Sequence, residues 1–225
     1  MDPSLVSLLA ASAAFVGSHF ALSHPLRAPL VSAVGEGPFL GIYSLVALAT
    51  FAWMVLAFLS APSPDLPGSG EIGWAVASAL TIVALVLFLG SLRGNPAFPD
   101  PKQAPKIPQE PRGVYAVTRH PMMWGFALWA LAHLILFWST RTLIFAGAIL
   151  FLALAGAHMQ DRKKERLLGE AWAGWEARKN YWPRWGRLPG AGWTLWTLAL
   201  LLWLAITFAH MPAGGIPAGL WRWLG

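Results

Sequence analysis

The sequence predicts an all-α membrane protein, a bundle of about six transmembrane helices with one amphipathic helix on the cytoplasmic side. Of the 225 residues, 56% are hydrophobic and only 12% are charged, which is a composition typical of membrane proteins. Segments rich in proline and glycine divide the apolar sequence into runs of helical length. We expect residues 1–225 to form a single integral membrane domain.

The first three spans are expected at Leu5–Leu22, Phe39–Ala61 and Gly73–Leu92. Each is close to the ~20 apolar residues that a helix needs to cross a bilayer. The first lacks a basic segment before it and runs past the length of a signal sequence, so we interpret it as a span rather than a cleaved leader. The proline-rich segments 62–70 and 95–111 are expected to be loops.

The last three spans are expected at Pro121–Ser139, Thr142–His158 and Gly192–His210. The fifth, near 17 residues, is at the lower limit for crossing a bilayer. Only residues 139–141 separate the fourth span from the fifth, which favours an antiparallel helical hairpin.

The segment Asp161–Tyr181 is polar but carries leucine, tryptophan and tyrosine side chains three to six residues apart. This spacing predicts a basic amphipathic helix lying on the inner leaflet. A solvated connector is the alternative interpretation.

The distribution of basic residues orients the bundle. Fourteen of the 16 Lys and Arg residues fall in the three segments on one side of the predicted bundle, leaving only Arg141 and Arg222 on the other. The positive-inside rule places the basic segments in the cytoplasm of a bacterial inner membrane. Because these charges lie between spans, lipid rather than nucleic acid is the expected partner. The absence of cysteine excludes disulfides and thiolate sites.

Two histidines lie inside spans, His19 in the first and His133 in the fourth, and an ionisable residue in a span indicates function. No span contains Asp, Glu or Cys, which argues against carboxylate di-iron sites and zinc hydrolases. Two histidines beside small and flat residues such as Gly125 and Trp129 favour haem with histidine ligation. A buried histidine that only bonds a neighbouring carbonyl is the simpler alternative.

The pairing of the histidines stays open at this stage. His120 and His133 lie roughly 20 Å apart along one helix axis, so they cannot share a metal atom. The expected depths of His19 and His133 differ by about 13 Å at ~1.5 Å per residue. A tilted haem could bridge part of that difference. Alternatively, His19 pairs with His120 or His158 near the inner face.

The segments GSHFALSHPLR (17–27), FLGIYSLVAL (39–48), TRHPMMWG (118–125) and LWALAH (128–133) resemble the NnrU family of bacterial membrane proteins. That family is associated with nitrogen-oxide metabolism and is related to 15-cis-ζ-carotene isomerase, a membrane haem b enzyme. The resemblance implies haem b with His19 and His133 as ligands and catalytic groups. Where the plant enzyme has a cysteine three residues before the second ligand, this chain has Ala130.

Five further residues are candidates for holding the haem. Arg27, Arg119 and His120 are candidates for its propionates, because cationic groups near the headgroups keep two carboxylates ionised. Trp129 and His158 are the remaining candidates. Haem in such a site would act on a polyene, bind nitric oxide, or serve a non-enzymatic sensing or accessory role in denitrification. The sequence leaves the substrate and the oligomeric state open.

A second resemblance, to isoprenylcysteine and phospholipid methyltransferases, rests on Gly113 to Gly125 and on Glu165 to Pro183. It implies an S-adenosylmethionine site at the cytosolic mouth, held by Arg119, His120 and Glu165. This alternative leaves the two histidines inside the spans without a role.

Overall fold

The computed structural model describes residues 2–62, 68–95 and 112–224. Every regular element in these ranges is helical. The helices are α1 (Pro3–Ser23), α2 (Arg27–Val34), α3 (Glu36–Ser60), α4 (Gly70–Gly90), α5 (Pro121–Leu136), α6 (Thr140–Leu168), α7 (Glu170–Arg178), α8 (Trp193–Gly214) and α9 (Trp221–Leu224). Two 3₁₀ segments, Gly113–Ala116 and Trp185–Ala191, precede α5 and α8.

The six predicted spans correspond to α1, α3, α4, α5, α6 and α8. Five of these are long and apolar enough to cross a membrane, and α5 is a shorter apolar helix of 16 residues. A helix of that length measures about 24 Å. It ends at Leu136 because Phe137 is extended and Ser139 caps α6 by accepting a hydrogen bond from the Thr142 amide. The chain is a multi-pass helical membrane protein.

Helix α6 lies at the centre of the bundle, against α1, α3 and α5, while α4 packs between α5 and α8. One end, the basic face, brings together the end of α1, the start of α5 and the end of α6. There His24 Nε2 lies 3.2 Å from the Met159 carbonyl. At the opposite end, the far face, Arg141 of α6 donates to the Ala61 carbonyl after α3 at 3.1 Å.

The segment predicted as one amphipathic helix is divided at Gly169, whose φ of +54° ends α6 and begins α7. Helix α6 continues ten residues past His158, the predicted end of the fifth span. The positive φ of Gly169, rather than the change to polar sequence, therefore sets the end of α6. Trp172 and Trp175 of α7 are buried in one apolar cluster with residues of α4 and of the 3₁₀ segment Gly113–Ala116, where the Tyr115 ring lies 6.4 Å from that of Trp175. The apolar side of α7 therefore packs on the protein at the basic face, whereas lipid contact had been expected.

Gly125 serves close helix packing rather than space for a planar ring. A Cβ there would lie 2.9 Å from the Ala84 carbonyl oxygen and 3.3 Å from Phe88. The glycine lets the backbones of α4 and α5 approach within that distance. On α6, by contrast, a Cβ at Gly147 would meet nothing within 4 Å. Space for a cofactor beside α5 must therefore lie on the side facing away from α4.

Candidate functional site

A buried ionic network closes the basic face beneath α5, with Arg119 at its centre. The Arg119 guanidinium donates to Asp161 Oδ2 from Nε at 3.0 Å and from Nη2 at 2.7 Å. It also donates to Glu176 Oε1 at 2.7 Å and to the Lys179 carbonyl at 3.0 Å. The Arg119 and Asp161 side chains are only 9% and 4% exposed. Arg119 thus joins α5, the end of α6 and α7.

His120 shares the same carboxylate. Its Nε2 lies 2.9 Å from Asp161 Oδ1, an ionic contact bent away from the direction of a linear hydrogen bond. Both side chains are buried, and the His120 ring meets Tyr181 edge to face at 5.7 Å. His120 and Arg119 also line a small cleft with Pro121. The two oxygens of Asp161 are therefore divided between Arg119 and His120.

The local sequence positions this network. Pro121 occupies the first turn of α5, where its missing N–H costs nothing, and Arg119 and His120 come immediately before it. The Arg119 amide donates to the Asn180 carbonyl at 3.1 Å, which ties the segment after α7 to the start of α5. Burial, together with the nearby Asp161 and Glu165, raises the pKa of the Glu176 carboxyl, while Arg119 opposes that rise.

His19 and His133 have the same local geometry. His19 Nδ1 lies 2.7 Å from the Phe15 carbonyl, and His133 Nδ1 lies 2.8 Å from the Trp129 carbonyl, each four residues earlier in its helix. If each Nδ1 carries the proton, each Nε2 presents a lone pair. Among the described residues neither Nε2 has a hydrogen-bond partner. A metal-binding histidine in proteins usually has this arrangement, with its other nitrogen fixed by a carbonyl.

The two rings lean toward the same depth of the bundle. A side chain on a helix points toward the N-terminus of that helix, and the bonds to the preceding turn fix this direction for both histidines. Helix α1 runs toward the basic face and α5 runs away from it. The His19 ring therefore points toward the far face and the His133 ring toward the basic face. Both directions reduce the difference in depth that was expected from the sequence.

An aromatic row connects the surroundings of the two histidines. Phe15, which meets the His19 ring at 4.4 Å, lies 5.5 Å from Phe51 of α3. Phe51 lies 6.3 Å from Phe145 of α6, and Phe145 lies 6.4 Å from Trp129. The Trp129 ring lies 4.1 Å from that of His133. Rings of α3 and α6 thus join the surroundings of His19 to those of His133.

The remaining candidates lie at the basic face. Arg27 pairs with Glu36 at 2.6 Å, with its guanidinium 5.7 Å above the Phe39 ring. His158 is exposed on α6. Within residues 2–62, 68–95 and 112–224, no three His, Asp or Glu side chains are grouped closely enough to hold a metal ion.

Sequence reasoning missed the acidic half of the ionic network. It named Arg119 and His120 as groups awaiting a ligand, but Asp161 and Glu176 already face them. A signal was available, because Arg119 and Asp161 are nearly equidistant from the α5–α6 turn and must therefore meet in an antiparallel hairpin. Glu176 had no such signal, since its position depends on the bend at Gly169.

Comparison with known proteins gives one finding. The family described as NnrU protein matches the chain over residues 7–218, nearly its whole length. No curated protein and no solved structure is significantly similar to it. The match includes both helices that carry His19 and His133, the ionic network and the central helix α6. The chain therefore belongs to the NnrU family.

Proposed function

We propose that this protein binds haem b in the membrane and that His19 and His133 would hold it. The observation that supports the proposal is the matched geometry of the two imidazoles, each with Nδ1 on a backbone carbonyl and Nε2 without a hydrogen-bond partner among the described residues. Neutral imidazole is a common ligand of haem iron. When bound, the haem would supply a redox-active iron, a group suited to nitric oxide or to a polyene.

The protein groups around such a cofactor have separable tasks. Trp129 would pack beside the His133 ligand, and the apolar surroundings of the aromatic row would exclude water. Arg27, Arg119 and His120 lie at the basic face, where propionates would meet cations, and His158 is exposed there. Arg27 and Arg119 already pair with carboxylates, so a propionate would replace Glu36 or Glu176 at those guanidinium groups.

The absorption spectrum of the purified protein tests the ligand assignment. The wild-type chain supplied with haem is expected to show a Soret band with the sharp visible bands of six-coordinate iron. His19→Ala and His133→Ala are each expected to convert that spectrum to a five-coordinate form or to abolish it, because each removes one ligand.

His210→Ala is the matched control for this spectrum. His210 also bonds the carbonyl four residues earlier, at 2.8 Å from Ile206, but it lies near the end of α8 at the far face. Its replacement is expected to leave the spectrum unchanged. A wild-type protein without a Soret band after haem supply, or one whose band survives both histidine substitutions, would overturn the proposal.

Methyl transfer receives less support. In the resembling methyltransferases the arginine holds a ligand carboxylate, whereas here Arg119 uses its donors on Asp161, Glu176 and a carbonyl. A site for S-adenosylmethionine would require this network to open. Methyl transfer would also leave His19 and His133 without a function.

We also propose that the basic face is cytoplasmic, in the inner membrane of a bacterium, because basic segments remain on the side of synthesis. The chain has no cysteine, so single cysteines report their own accessibility. Ala173→Cys, exposed on α7, is expected to react with a membrane-impermeant maleimide only after the cells are opened. Ala213→Cys, exposed at the end of α8, is expected to react in intact cells. The reverse pattern would show that the orientation is wrong.

A further inference from the structure

A second cleft at the basic face is lined by cations that have no acidic partner in the described part of the chain. It lies between residues 115–118, which precede α5, and residues 178–187, which follow α7. Arg178, Lys179, Arg184 and Arg187 line it, and no Asp or Glu does. Among the described residues, none of these four cations forms an ion pair, unlike Arg27 and Arg119 on the same face.

Lys179 is the buried member of this group. Only 8% of the residue is exposed, and its Nζ lies 5.2 Å above the Trp175 ring without a carboxylate partner in the described chain. Its carbonyl accepts the bond from Arg119, which fixes the backbone on the other side. Burial, followed by the nearby Arg178 and Arg184, lowers the pKa of the Lys179 ammonium. Within residues 2–62, 68–95 and 112–224, this buried cation lies among further cations and has none of the counter-charge that such a group normally has.

The surrounding residues place this cleft near lipid headgroups. Trp182 and Trp185, on either side of Arg184 in the sequence, are exposed, and so is Trp193, the first residue of the membrane helix α8. Exposed tryptophan is enriched at the membrane–water boundary. Arg184 is held at the cleft by a 2.8 Å bond from its amide to the Val117 carbonyl, and its side chain donates to Asn180 Oδ1 at 3.0 Å.

We propose that this cleft binds a phosphate group, with Lys179 and Arg184 as its principal donors. Phosphate oxygens accept the charge-assisted hydrogen bonds that guanidinium and ammonium groups offer, and their negative charge supplies the missing counter-charge. The phosphate is carried either by an anionic phospholipid of the cytoplasmic leaflet or by a soluble phosphate compound. The tryptophans favour the lipid. This site is separate from the histidines and does not depend on haem.

Ligand titration of the full chain in an uncharged detergent tests the site. The probes are dioctanoyl phosphatidylglycerol, dioctanoyl phosphatidylcholine and inorganic phosphate at matched ionic strength. Phosphatidylglycerol is expected to bind more tightly than phosphatidylcholine, whose choline would meet only cations. Lys179→Met is expected to weaken phosphatidylglycerol binding by about tenfold or more, as for loss of a buried charged donor.

Arg162→Met is the matched control, because Arg162 is exposed on α6 at the same face but does not line the cleft. The affinity of Arg162→Met for phosphatidylglycerol is expected to stay within about twofold of the wild-type affinity. Arg184→Gln, at an exposed side chain, keeps the test valid should Lys179→Met not fold. Inorganic phosphate binding as tightly as the lipid would identify the soluble source, and lipid binding that phosphate does not displace would identify the lipid. Wild-type affinity in both cleft variants, or equal loss in Arg162→Met, would overturn the site.

Discussion

Replacing Asp161 with alanine is expected to destabilise the protein by about 3–5 kcal/mol, the usual cost of removing one partner from a buried ion pair. The reason lies in the groups left behind. Arg119, with a side chain only 9% exposed, would retain Glu176 but lose two of its bonds. His120 Nε2 would lose the carboxylate that it contacts. We expect this loss of stability to appear as a lower melting temperature of the purified protein in detergent.

Two variants make this experiment specific. Glu71→Gln, which breaks the ion pair with Arg222 at the far face, is expected to change the melting temperature little, because Glu71 is exposed. The double variant Arg119→Ala with Asp161→Ala is expected to lose less stability than the sum of the two single losses, since the two side chains interact directly. Additive losses of stability would contradict the assignment of this network as the principal interaction that holds the basic face together. A change in melting temperature for Glu71→Gln as large as that for Asp161→Ala would also contradict it.

Replacing Trp175 with alanine is expected to cost a similar amount, about 3–5 kcal/mol, and to release α7 from the bundle. The ring is fully buried, meets Tyr115 at 6.4 Å and lies beneath the Lys179 ammonium. Glu176, the next residue, would lose its position at Arg119 at the same time. Loss of α7 packing should appear as rapid tryptic cleavage after Arg166 or Arg178, together with a lower melting temperature.

Trp193→Ala is the control, because that side chain is 80% exposed. We expect nearly wild-type melting and cleavage. Trp175→Phe is expected to cost less than Trp175→Ala, because phenylalanine keeps most of the ring and removes an indole N–H that has no described partner. If Trp175→Ala resembles Trp193→Ala in both measurements, burial of this ring does not hold α7 in place.

The sequence predicted the spans well because hydrophobicity over ~20 residues is a local property. All six predicted spans have a corresponding helix, and the hairpin turn at 137–139 lies where the chain between them is shortest. The errors are at the ends. The α2 helix (Arg27–Val34) was not predicted, because its residues are neither strongly apolar nor regularly patterned. The α5 helix stops three residues before its apolar sequence does, since the α6 cap requires an extended chain.

The candidate sites were predictable to different degrees. His19 and His133 were selected because an imidazole inside an apolar span is rare, and α1 and α5 include these two positions, while their role stays a prediction. The sequence alone did not show that their rings lean toward the same depth. To recognise this, one needs the antiparallel arrangement of α1 and α5 and the observed side-chain bonds. Glu176 and Lys179 could not be recognised, because their surroundings depend on how α7 folds back after Gly169.

The Arg119 network also has a consequence for how the protein is made. Arg119 precedes Asp161 by 42 residues and Glu176 by 57 along the chain. Arg119 therefore emerges from the ribosome well before either carboxylate. Until residue 161 has been synthesised, Arg119 has neither carboxylate, and the headgroup region must solvate its charge. The contact with Glu176 forms later still, after the α5–α6 hairpin is already complete.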